Sequence, residues 1–81
     1  MTTIIRFRVK KDIDPVTARK ILKLKGNLIA QSFTDIIHFD DDGEEFYIHY
    51  FTISSERKLD VITYTSSFIA DEVLTDAVTV L

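Results

Sequence analysis

The chain has 81 residues, 46% of them hydrophobic and 28% charged, which is enough for one core, leaves no room for a second domain, and is too apolar for a disordered tail. It has no cysteine, so disulfides, thiolate metal sites and thiol catalysis are excluded, and a domain this small without disulfides points to a reducing, cytoplasmic compartment. The net charge of -3 conceals a division: residues 1–25 carry eight basic side chains against two acidic ones, and residues 26–81 carry two basic against eleven acidic.

No stretch approaches the roughly 18 apolar residues that a membrane span needs, and the first residues read as a strand, not as a leader. Residues 3–9 alternate: Ile5, Phe7 and Val9 fall on one side, Ile4, Arg6 and Arg8 on the other. A period of two is that of a half-buried strand. Asp14-Pro15 then opens a helix, with Asp as N-cap and Pro at the first helical position. Its apolar positions Ala18, Ile21, Leu22 and Leu24 share a face opposite Arg19, Lys20 and Lys23, and Gly26 is the expected stop.

Residues 27–32 carry no clear pattern. A strand is expected from Phe33 or Ile36 to Phe39, followed by a hairpin turn at Asp41-Asp42-Gly43. The return strand, Glu45 to Ile53, is the strongest in the chain: Phe46, Ile48 and Tyr50 face one way, and Tyr47, His49, Phe51 and Ile53 the other. With both faces apolar or aromatic it belongs at the centre of a sheet. After a turn at Ser54-Ser55-Glu56, the β-branched run Leu59 to Thr65 reads as another strand. A last helix follows from the cap candidates Thr65-Ser66-Ser67, with Ile69, Ala70, Val73, Leu74, Ala77 and Leu81 on its apolar face.

The reading is therefore a single α+β domain over 1–81, two-layered, in the order β-α-β-β-β-α. A largely antiparallel sheet of about four strands carries two helices on one face. Residues 78–81 are β-branched enough to form a strand instead, which gives a ferredoxin-like arrangement as the alternative.

Several residue groups invite chemistry, and each has a plainer account. The acidic run from Asp40 to Glu45 suggests a divalent cation, but it lacks the EF-hand spacing and a solvated hairpin tip explains every residue. His38 and His49 lie on strands expected to pair, yet no third ligand accompanies them. The aromatics Phe46 to Phe51 offer the stacking surfaces that RNA-binding sheets use. Glu44 and Glu45 stand where the corresponding motif has a basic residue and a glycine, so core packing is the better account. Thr79-Val80-Leu81 fits the short carboxylate motif that strand-addition domains capture, with burial as the simpler role.

The best functional candidate is the basic set Arg19, Lys20 and Lys23, backed by Lys10 and Lys11, with Arg6 and Arg8 on the first strand. It suits phosphates or an acidic protein surface. No phosphate loop, nucleophile elbow or zinc motif is present, and the expectation is a protein that is not an enzyme and has no cofactor. The favoured function is a small interaction or regulatory module binding a protein partner. Self-association along exposed sheet edges is expected, and the profile suits a phage or mobile-element accessory protein. The alternative is a nucleic-acid-binding protein that uses the basic first helix; a third option, a small-ligand sensor on a ferredoxin-like sheet, would require the last residues to form a strand.

Overall fold

The computed structural model describes all residues, 1–81. The elements are β1 (Thr2–Lys10), α1 (Pro15–Ala30), β2 (His38–Asp42), β3 (Phe46–Ser54), a single 3-10 turn at Ser55–Arg57, α2 (Lys58–Asp71) and β4 (Val78–Val80). The four strands form one antiparallel sheet in the order β2-β3-β1-β4. The α+β class, the four-stranded sheet and the two helices are as the sequence led us to expect. The chain ends in a strand, so the order is β-α-β-β-α-β, that of the ferredoxin-like alternative.

The β1–β3 ladder sets the layers. Thr2 lies opposite Ser54 and Lys10 opposite Phe46, with every pair between in register. Alternation then puts Ile5, Phe7 and Val9 on the same side as His49, Phe51 and Ile53, all buried. Both helices cover that side. Ile21, Leu24 and Leu28 of α1 and Val61 and Ile69 of α2 join the same twelve-residue core, completed by Leu74 and Val78.

α1 starts as expected: the Asp14 side chain accepts from the Thr17 N–H at 2.8 Å, and Pro15 opens the first turn. Gly26 does not end it. The helix runs four residues further because Leu28 continues the buried stripe of Ile21 and Leu24, and burial of that side chain outweighs the weak helix propensity of one glycine. The stop comes at Ser32, whose φ of 61° lets the Phe33 N–H reach back to the Leu28 carbonyl at 3.1 Å and the Ser32 N–H to Ile29 at 3.0 Å. This is a Schellman ending without glycine. The Arg57 guanidinium donates to the Ser32 carbonyl at 2.8 Å and tethers this end to the 3-10 turn.

The first hairpin is shorter than its residues suggested. β2 begins at His38, and Asp40, Asp41 and Asp42 are strand residues; the connection is Gly43, Glu44 and Glu45, with Gly43 at φ 77°. As an edge strand, β2 gains from the acids, which discourage pairing with another chain.

The run Leu59 to Thr65 is helical, not extended. Val61, Thr65 and Ile69 recur at four-residue spacing and are the buried positions of α2, so packing of one helical stripe overrides the β preference of the branched side chains. The helix expected over the last residues stops at Asp71. Val73 takes φ 57°, and the Leu74 N–H bonds the Ile69 carbonyl at 2.8 Å in a second Schellman ending. Val73, placed on the core face by the sequence, is 81% exposed, while Leu74 turns inward. β4 then pairs with Phe7, Arg8 and Val9.

Candidate functional site

With both helices on one side, the other side of the sheet is left uncovered. It consists of three parallel rows. β1, next to the last strand, presents Ile4, Arg6, Arg8 and Lys10; β3, at the middle, presents Phe46, Ile48 and Tyr50; β2, at the edge, presents His38, Asp40 and Asp42. A basic row and an acidic row thus flank an apolar, aromatic one. The middle row is half-buried, Ile4 is 43% exposed and Arg6 is exposed.

Contacts within the face knit the rows together. The Arg8 guanidinium lies 5.1 Å from the centre of the Phe46 ring and extends over it to Asp42, with Nε donating to Oδ2 at 2.9 Å. Tyr50 donates its phenol proton to Asp40 at 3.1 Å, and this bond to a carboxylate pushes the phenol pKa above its usual 10. His38 stacks on the Tyr50 ring, centroids 5.2 Å apart. Arg6 and Lys10 have no ion-pair partner.

The basic residues singled out from the sequence do not form one surface. Arg6 and Arg8 lie on the uncovered face. Arg19, Lys20 and Lys23 belong to α1, on the opposite side of the sheet. Arg19 and Lys23 are exposed, but Lys20 is committed internally: its Nζ donates to the Glu72 carbonyl at 2.9 Å, with the Glu72 carboxylate 4.0 Å away. A cation at the carbonyl end of α2 satisfies a helix dipole. Lys11 pairs with Asp41 at 2.7 Å and donates to the Gly43 carbonyl.

The other groups separate in the same way. Asp40, Asp41 and Asp42 alternate across the strand and contact Tyr50, Lys11 and Arg8 respectively, so they do not converge. His38 lies on the uncovered face and His49 on the helix side, and no group of three metal-ligating side chains occurs. The aromatic strand divides: Tyr47, His49 and Phe51 lie on the helix side, while Phe46 and Tyr50 belong to the uncovered face. Thr79-Val80 is sheet strand, and the Leu81 N–H bonds the Arg6 carbonyl at 3.0 Å.

The three-row face itself was missed in the sequence. Its components were visible as the polar side of β1 and one side of β3, but only the strand order sets Arg6 and Arg8 across from Asp40 and Asp42. No helix is long and apolar enough to cross a membrane. Compared with known proteins, the chain matches no family model, no curated protein and no solved structure.

Proposed function

We propose that this protein is a non-catalytic interaction module that self-associates through the uncovered face of its sheet. The observation that carries this reading is the order of the rows. A two-fold axis running along β3 stacks Phe46, Ile48 and Tyr50 of two copies on one another. The same rotation brings the basic row of each copy over the acidic row of the other. The face is thereby its own complement, as a symmetric dimer interface requires. Aligned sheets packed this way stand about 10 Å apart, a distance the middle-row side chains fill. The sheet edges are poorer candidates, since β2 is lined with acids and β4 has three residues.

Sedimentation velocity over a range of concentrations tests this. We expect a species of twice the 9.3 kDa chain mass that dissociates on dilution and in high salt. Ile48→Glu, at the centre of the face, abolishes it without altering the circular dichroism of the fold. A variant carrying Arg6→Asp and Arg8→Asp fails to self-associate but pairs with one carrying Asp40→Arg and Asp42→Arg. A chain that stays monomeric at all concentrations overturns the reading.

The same face offers one observation in favour of nucleic acid, since Phe46 and Tyr50 present rings beside the free Arg6. Asp40 and Asp42 stand on that face too and repel phosphates. Salt-sensitive binding of single-stranded RNA or DNA that Arg6→Asp removes replaces the dimer reading.

A further inference from the structure

On the helix side, where β1 ends and α1 begins, a cleft of about 300 Å³ opens between α1 and the β2–β3 strands. Its apolar lining includes Val9 and Ile21, and its aromatic lining includes Phe39 and Tyr47. Phe39 is 60% exposed although it sits on the helix side of the sheet, an unfavourable position for a large apolar ring. It meets Tyr47 edge-on at 5.8 Å and His49 at 5.8 Å with the ring planes 29° apart, so three rings form an angled wall.

Two polar side chains that line the cleft make no hydrogen bond or ion pair within the protein. His49 is 5% exposed and its Nδ1 has no hydrogen-bond partner. A buried imidazole nitrogen without a partner is rare in a folded domain. Lys25 is half-buried and makes neither an ion pair nor a hydrogen bond; its ammonium lies 5.8 Å from the centre of the Phe39 ring. Burial, with the nearby Lys25 charge adding to it, holds the His49 pKa at about 4, so at neutral pH the ring offers one donor nitrogen and one acceptor nitrogen. Lys11 brings a second ammonium over Tyr47 at 4.9 Å, but Asp41 neutralises it. Lys10 also lines the cleft without an ion-pair partner, but the alternation of β1 turns its side chain to the uncovered face, which leaves Lys25 as the free charge on the helix side.

We infer that this cleft binds a small aromatic carboxylate. The ligand ring lies against Phe39 and Tyr47, and its carboxylate pairs with Lys25. The volume lies at the small end of ligand sites and suits a molecule of one or two rings. An aliphatic acid leaves the aromatic wall bare, and a neutral aromatic leaves Lys25 unpaired. The cleft lies across the sheet from the proposed dimer face, so the two readings stand or fall separately.

Titration of the full chain with indole-3-carboxylate, followed by amide chemical shifts, tests the inference. We expect saturable shifts centred on Lys25, Phe39, Tyr47 and His49, together with a ligand-dependent rise in melting temperature. Indole-3-carboxamide, which keeps the rings and loses the charge, should bind at least about tenfold more weakly. Lys25→Gln should cause the same loss, and it changes only a half-exposed helix position. Equal affinity for acid and amide, unchanged binding by Lys25→Gln, or no saturation up to about 1 mM overturns the proposal.

Discussion

His49 lies flat on Phe7, its partner in the β1–β3 ladder, with ring centroids 5.1 Å apart and planes within 5°. The stack fixes the imidazole in the core, where burial, and secondarily Lys25, depresses its pKa to about 4. In the unfolded chain the same group titrates near its ordinary 6.5. Between these values the unfolded chain takes a proton that the folded one refuses. The contribution of His49 is therefore complete above about pH 6.5, falls as pH is lowered through the window, and is exhausted near pH 4. The shift corresponds to a loss of up to about 3 kcal/mol. Urea unfolding at a series of pH values should show a steeper acid loss for the wild type than for His49→Phe. Parallel curves would mean that the ring charges freely in the fold.

Both ends of the helical layer leave room for stabilisation. A methyl group at Gly26 meets nothing within 4 Å, and the position is inside α1. Gly26→Ala should add about 1 kcal/mol. Val73 is a branched residue held at φ 57° with its side chain in solvent, and Val73→Gly should add about 1 kcal/mol by relieving the backbone. In a domain this size each appears as a rise of roughly 4–8 °C in melting temperature. A fall with Val73→Gly would show that the exposed valine makes a contact worth more than its strain.

Thr65 is 1% exposed, and its hydroxyl has no hydrogen-bond partner. It lies on the core stripe of α2 between Val61 and Ile69. Thr65→Val keeps the shape, removes the stranded hydroxyl and should stabilise by about 1 kcal/mol, read from the urea midpoint. Destabilisation by that variant would place a bonded water or carbonyl at the hydroxyl.

The Arg8–Asp42 pair separates folding from assembly. Its side chains are 41% and 38% exposed, so Asp42→Asn should change chain stability by less than about 1 kcal/mol. The same substitution removes a charge from the acidic row and should measurably weaken self-association in sedimentation velocity. A large loss of stability with unchanged association would make the pair a support of the hairpin instead.

What could be read from the sequence was local and periodic. The alternation in β1 and β3 assigned the correct faces of both strands, and Asp14-Pro15 located the start of α1, because these signals act within a few residues. The run from Val61 to Thr65 misled because its β-branched composition says strand while its spacing to Ile69 says helix, and only core contact decides between them. Gly26 looked like a stop because the buried Leu28 beyond it was not recognised as part of the same stripe. The basic residues looked like one set because sequence does not show on which side of a sheet a helix lies. Lys20 was counted as free although it sits at the carbonyl end of α2, a contact across 52 residues.

The position of β1 also shapes how the chain folds as it is made. This strand precedes its ladder partners by a long stretch of chain: Thr2 pairs with Ser54 and Phe7 with Val80. Until those segments emerge, Ile5, Phe7 and Val9 have only α1 to cover them, and both backbone edges of the strand are open. Closing such long loops is slow compared with forming α1. Until those partners emerge the nascent chain carries a bare apolar strand, a natural substrate for a holding chaperone and a segment prone to aggregation at high expression.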